Sequence, residues 1–240
     1  MIIRWVKIRV TNAFPLGLRR AARQFSAEMV IRKRHLRGIK NARGYRGLNG
    51  LAMQLGSADK TKEGWVNIDL SPAADLMLDL RDPLPFTDNT FKMIYSEHVL
   101  EHFDYPGDIT RLLSECYRVL EPGGIFSLSV PDGEPVLRSY TIKREEPAQI
   151  NMPADLSWCR THMDCINYFM RQNGEHCWIY DEETMHLLLE SVGFSRIQRR
   201  EFDPALDQEE RRDSLFMHCR KPGCSGTRAA ICRLDRFERS

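Results

Sequence analysis

From Leu48 onward the chain repeats one texture: a short apolar run, a stop at a glycine or an acid, then a turn or a helical pattern. The run Leu51–Leu55 stops at Gly56, and Trp65–Ile68 stops at Asp69. Leu76–Leu80 carries Asp79 near its end, and Lys92–Tyr95 is entered through the turn Asp88-Asn89-Thr90. A helical stretch follows from about 108 to 120, with Ile109, Leu112, Leu113, Cys116 and Leu120 on one face, and Pro122-Gly123-Gly124 stops it before a fifth run, Ile125–Val130. Asp181 opens another helix with Met185, Leu188, Leu189 and Val192 inward and Gly193 as its stop. Two last runs, near 194–202 and Leu215–Arg220, read as a closing hairpin. Runs of four to six residues are strands, and strands alternating with amphipathic helices make a doubly wound α/β sheet.

At 240 residues the chain has room for one well-buried core. No run reaches the eighteen or so apolar residues that a membrane span needs, and MIIRWVKIRV is broken by charges too often for a secretory leader. Seven cysteines with no C-x-x-C pair read as reduced thiols, which points to the cytoplasm. The net charge of +2 conceals a division: residues 1–50 hold thirteen Lys or Arg against the single acid Glu28, while the other 190 hold 22 basic and 32 acidic residues. We therefore separate a basic arm, 1–47, from a domain at 48–222 and a tail at 223–240. In the arm Leu18, Ala21, Ala22, Phe25 and Met29 recur at helical spacing among arginines, and Gly44 and Gly47 close the pattern. Such a helix suits a lid over the cleft, peripheral contact with an anionic membrane, or a targeting segment, in that order of expectation.

In an open parallel sheet a ligand lies beyond the carboxyl ends of the strands, where strand order reverses. The residues to read are therefore Leu55, Gly56, Ser57 and Ala58, then Asp69 and Leu70, Asp79 and Leu80, and Ser96-Glu97-His98. Glycine lets backbone approach a ligand closely, and an acid after the second strand can accept hydrogen bonds from ribose hydroxyls. An acid followed by an apolar residue after the third can take an adenine amino group and flank its ring.

The runs LGSADKTKEGWVNIDL, DLRDPLPFTDNTFKMIYSEHVLEHF and ECYRVLEPGGIFSLSVPD resemble class I S-adenosylmethionine-dependent methyltransferases of the type 11 kind, closely over 51–132 and more loosely through YDEETMHLLLESVGF. The resemblance implies S-adenosyl-L-methionine as cofactor, a Rossmann-like sheet of seven strands with the last antiparallel, and a binding site made of Leu55, Gly56, Ser57, Asp69, Leu70, Asp79, Leu80 and Ser96. Ala58 departs from it, since such enzymes usually have a second glycine there. A nicotinamide dehydrogenase would want three glycines and an acid about twenty residues on; here Asp69 lies thirteen residues after Gly56, which leaves little room for a crossover helix.

His98-Val-Leu-Glu101-His102 matches the pattern of inverted zinc peptidases, but it follows a strand directly and shows no distal ligand. Residues 133–180 are read as the acceptor-binding insertion; their Trp158, Cys159, His162, Cys165, His176, Cys177 and Trp178 fit no zinc spacing, so no metal is expected. If the acceptor is a hydroxyl, a base is needed, and His98 is the candidate with Glu97 beside it and His162 and His176 behind. The expected acceptor is a small molecule or glycan methylated on oxygen. RNA or protein methylation and a non-catalytic binding role are the alternatives, with nucleic acid disfavoured because no Asn-Pro-Pro-Tyr-type signature occurs.

Overall fold

A computed structural model describes residues 14–142 and 158–223. The start of the arm, the middle of the acceptor-binding stretch and the tail from 224 lie outside the described residues. The strands are β1 (Leu51–Leu55), β2 (Val66–Asp69), β3 (Leu76–Met77), β4 (Phe91–Glu97), β5 (Leu120–Val130), β6 (Ser195–Arg199) and β7 (Leu215–Arg220). They form one sheet of seven in the order β3-β2-β1-β4-β5-β7-β6. The first five are parallel, and β7 runs antiparallel to both neighbours, β5 and β6, as expected for the last strand. Strand order reverses between β1 and β4, where Leu55 lies beside Ser96.

The helices are α1 (Leu16–Ala42), α2 (Gly107–Val119), α3 (Gly133–Ile142), α4 (His162–Arg171) and α5 (Glu182–Val192). In α2 the buried side chains are Ile109, Leu112, Leu113, Cys116 and Val119, so the apolar stripe read from spacing is the face that packs; each fully buried aliphatic side chain there contributes about 1.5–3 kcal/mol. α5 is capped by Asp181, whose carboxylate accepts from Thr184 N–H at 2.8 Å, and ends on Gly193 at φ 108°. The α5 residues Met185, Leu188 and Leu189 are buried in the same core.

The connections β1–β2, β2–β3 and β3–β4 contain no helix. Polar side chains from the strands and from α2 hold them instead. Buried Gln54 donates to the Lys60 carbonyl, and buried Asn67 accepts from Lys62 N–H at 2.8 Å and donates to Asp75 at 2.8 Å. Arg118 donates to the carbonyls of Leu84 and Phe86, and Glu115 accepts from Leu84 N–H. Sequence periodicity extends β3 to Leu80, but the strand ends at Met77. At this edge strand the Asp79 N–H turns away from the ladder and donates to His35 Nδ1 at 3.0 Å.

α1 packs with a face other than the one its apolar spacing suggests. Leu18, Phe25 and Met29 are 55%, 69% and 56% exposed, while His35, Gly38 and Ala42 are buried. Gly38 lies so close to the Met77 carbonyl that a Cβ there would overlap it. Arg34 donates to the Leu70 carbonyl at 2.8 Å, so the second half of α1 lies against the loops that follow β2 and β3.

Candidate active site

The carboxyl rim of the sheet brings together the residues that the sequence nominates. Leu55 is fully buried, and its successor Gly56 has φ +65°, in the left-handed region that glycine occupies without strain. A Cβ at Gly56 would overlap Cγ2 of Val99, from the loop after β4, so the two loops meet at this residue. Gly56 N–H and Ser57 N–H both donate to the Ile68 carbonyl, at 2.8 and 3.2 Å. Ala58, in place of the expected glycine, also has positive φ, 45°. Its N–H donates to Asp69 Oδ2 at 3.0 Å, while Ser71 N–H donates to Asp69 Oδ1 at 2.6 Å. One carboxylate thus spans both loops and, with a second lone pair on each oxygen, keeps capacity for further donors. Ser57 and Ser96 are buried at the ends of β1 and β4, and neither hydroxyl has a hydrogen-bond partner.

Beyond β3, Arg81 binds Asp79 through both carboxylate oxygens and also reaches Glu28 of α1 at 2.8 Å. Burial pushes the Asp79 carboxyl up, but the hydrogen bonds and charge of Arg81 outweigh it and hold the group below the usual carboxylate range. Asp82 binds Arg32 at 2.9 Å and His35 at 3.2 Å, and half-buried Leu80 packs against the core between these two acids. A cavity of about 390 Å³ opens here, lined by Glu28, His35, Asp79, Arg81, Asp108 and Arg111 among others. A larger one of 540 Å³, at the start of α5 beside Glu134 and His186, holds none of the nominated residues.

At the mouth of β4 the chain 200–214, which joins β6 to β7, closes over the rim. Tyr95 donates to Asp207 at 2.9 Å, and Arg200 binds both oxygens of that buried carboxylate. Glu97 accepts from Gln208 N–H at 2.9 Å and from its Nε2 at 2.6 Å, so both its oxygens hold this segment in place. His98 has φ 51° and lies with Nε2 2.6 Å from Ser214 Oγ. Burial, reinforced by the charge of Arg211 and the neighbouring His176 and His102, lowers its pKa to about 3, so the imidazole is neutral. Gln208, Arg211 and Ser214 went unnoticed in the sequence because polar loop residues carry no periodic signal there.

Glu101 is fully buried and its carboxylate has no hydrogen-bond partner. His98 Nδ1 stands 3.5 Å from its Oε1. Burial pushes this carboxyl up to about 8. The Glu101 carbonyl accepts from Cys177 and Trp178 N–H, which places the end of the acceptor-side stretch directly against the mouth of β4. Trp178 stacks on Tyr105 with centroids 4.5 Å apart, yet it and Trp158 are 41% and 51% exposed, so neither serves the core. His162 opens α4 behind its cap Thr161, and His176 approaches His102 to 5.1 Å between ring centroids.

Residues 52–128 match the family of the methyltransferase domain. No curated protein matches the sequence. Among solved structures, the chain is similar to a Haemonchus contortus phosphoethanolamine N-methyltransferase 2 complexed with phosphomonomethylethanolamine and S-adenosylhomocysteine, at 15% identity and TM-score 0.46, over 75% of this chain and 51% of that one. It is also similar to an S-adenosylmethionine-dependent methyltransferase from Mesorhizobium loti, at 19% identity and TM-score 0.42, over 74% and 94% of the two chains. A third is the Archaeoglobus fulgidus enzyme of the same description, at 14% identity and TM-score 0.43, over 76% and 92%. The chain spans about half the length of the H. contortus protein. The segment that matches the methyltransferase-domain family runs from β1 to β5 and contains Gly56, Asp69, Asp79 and Ser96.

Proposed function

We propose that the chain transfers a methyl group from S-adenosylmethionine to a hydroxyl of a small molecule, a glycan in the first instance. The observation that carries this reading is the coincidence of the matched segment with a rim built around a left-handed Gly56 and two buried serine hydroxyls without partners. These features suit a ligand that brings donors and acceptors of its own. Asp69 would hold the ribose hydroxyls, and Asp79 with Leu80 would flank the adenine. Leu55, Gly56, Ser57, Leu70 and Ser96 would line the remaining contacts. When bound, the cofactor supplies a methyl group on a sulfonium, already a strong electrophile.

The protein's share is then alignment, which converts a bimolecular displacement into a nearly unimolecular one. His98 is the base of this reading. A neutral imidazole of such low basicity accepts a hydrogen bond from the acceptor hydroxyl and takes its proton late, once the new bond has made that proton acidic. Glu97, with both oxygens on Gln208, keeps the 200–214 segment over that proton. The same reading gives the exposed Leu18, Phe25 and Met29 of α1, among arginines, a peripheral contact with an anionic membrane from the cytoplasmic side.

Calorimetry of the full chain with S-adenosylmethionine tests the cofactor. Asp69→Asn keeps the shape of the carboxylate and should weaken binding by roughly 1.5–3 kcal/mol, as for a hydrogen bond to a charged group. Unchanged affinity in that variant would overturn the assignment of Asp69. Transfer of labelled methyl to glycan, lipid or RNA fractions tests the acceptor, and labelling confined to RNA would replace the glycan reading.

A further inference from the structure

The pattern His98-x-x-Glu101-His102 has no distal ligand near it in sequence, and the cluster around His176, about seventy residues on, fits no zinc spacing. The fold joins them. One ligand atom from each of Glu101, His102 and His176 lies within 4.8 Å of the other two. His102 comes from the turn Leu100–His102 after β4, and His176 from the segment after α4 that is pinned to Glu101 by two backbone hydrogen bonds. We propose that Glu101, His102 and His176 form a binding site for a divalent transition-metal ion of the zinc class.

Three observations carry the site. The Glu101 carboxylate is fully buried and both its oxygens lack hydrogen bonds, and buried carboxylates without a partner or a cation are costly. His102 Nδ1 donates to the Glu175 carbonyl at 2.9 Å, and His176 Nδ1 donates to the Phe169 carbonyl at 3.0 Å. Those bonds fix the tautomer of both rings and leave Nε2 as the nitrogen available to an ion, which is how metal-binding histidines are ordinarily oriented. Finally, two imidazoles and one carboxylate are a donor set suited to zinc.

Ligand atoms about 2.0–2.2 Å from a tetrahedral ion stand roughly 3.4 Å apart, so closure draws each side chain inward by about one ångström. The His102 side chain is 38% exposed, so little packing opposes that move. Three protein ligands leave a fourth position, on the His102 side, for water. The ion would tie the end of β4 to the acceptor-side stretch. The proposal does not depend on methyl transfer.

The test uses the metal-stripped full chain titrated with Co²⁺, whose visible absorption reports four-coordinate binding, and then with Zn²⁺ in competition. One equivalent should bind and raise the thermal midpoint, because binding to the folded state stabilises it. His102→Ala, His176→Ala and Glu101→Gln should each weaken Co²⁺ binding about a hundredfold or more, the upper end of the loss when only a ligand's own hydrogen-bond partner is removed. Thermal midpoints of the stripped variants separate lost ligation from lost folding, and His102→Ala, at an exposed position, decides the case if the buried Glu101→Gln does not fold. Cys177→Ser and His186→Asn, at exposed positions outside the ligand set, should bind as the parent does. No saturable Co²⁺ binding by the parent, or binding that survives His102→Ala and His176→Ala together, would overturn the site.

Discussion

The carboxyl rim of this sheet has two sides that use their acids in opposite ways. Beyond β2 and β3 each acid is matched: Asp69 by two backbone N–H groups, Asp79 by Arg81, Asp82 by Arg32 and His35. Beyond β4, Glu97 is matched by Gln208, but four residues later Glu101 is equally buried with no hydrogen bond, and Tyr180 Oη and Ser129 Oγ nearby in the fold are also buried without one. The matched side keeps its shape by its own contacts, since Asp69, Asp79 and Asp82 each have a partner within the chain. The other side leaves buried polar groups whose desolvation is uncompensated within the chain. An ion gains most where it supplies a missing partner, on the β4 side, whereas the β2 side offers a ligand a carboxylate already held in place, Asp69, with lone pairs to spare.

Gly56 is the seam between the two sides, and a change there should have the largest effect. Gly56→Ala places a methyl group into Val99 Cγ2 and forces an alanine into a left-handed backbone. Overpacking and the conformational cost together should destabilise by roughly 2–5 kcal/mol, read as the midpoint of urea unfolding. Adding Val99→Ala should recover the overpacking part, so a double-mutant cycle should show coupling of about 1–3 kcal/mol. Additive effects would mean that the loops after β1 and β4 do not meet in solution as they do here.

The matched side can be loosened through Arg81, which joins Asp79 of the body to Glu28 of α1. Arg81 is 44% exposed, so solvent screening limits the loss on Arg81→Ala to about 1 kcal/mol or less. The pH dependence has a definite sign. The folded-state pKa of Asp79 lies below its ordinary value, so the contribution is complete above the carboxylate range and is lost as pH falls through the folded value. Proteolysis within α1 should therefore accelerate at acidic pH in the parent, and in Arg81→Ala already at neutral pH. The first half of α1 offers a sharper contrast. If its exposed Leu18, Phe25 and Met29 meet an anionic surface, the full chain floats with anionic liposomes at low salt and is released at high salt, since each basic residue near such a surface adds about 1 kcal/mol. A chain starting at Leu48 should stay down, and flotation of both would dissociate the arm from membrane contact.

The strands and the helices α2 and α5 were legible in the sequence because their signals are local: apolar runs of strand length, a stripe at helical spacing, Asp181 and Gly193 at the helix ends. Gly56, Asp69, Asp79 and Ser96 could be placed on one rim because parallel strands put their carboxyl ends together. What escaped depends on contacts across the fold. At the open edge beyond β3 it is His35, some forty residues upstream, that takes the Asp79 N–H. α1 buries a histidine, a glycine and an alanine, which is no apolar stripe, because the helix must approach the Met77 carbonyl closely. The approach of His176 to Glu101 and His102 brings together two motifs that lie about seventy residues apart in sequence.

The smallest expected effect lies at Ala58, on the matched side, where the chain departs from the usual glycine. Its φ of 45° costs an L-residue about 1–2 kcal/mol relative to glycine. Against this, glycine adds freedom to the unfolded chain worth roughly 0.4–1 kcal/mol. Ala58→Gly should therefore be neutral to slightly stabilising, by up to about 1 kcal/mol, and should leave S-adenosylmethionine affinity equal or better. Ala27→Gly supplies the opposite sign: that residue is exposed in the interior of α1, where glycine should cost about 1 kcal/mol. If the two substitutions destabilise alike, Ala58 is not strained. If Ala58→Gly preserves stability but lowers cofactor affinity, its methyl group is itself part of the binding surface, and the bridge from Ala58 N–H to Asp69 serves the ligand as much as the loop.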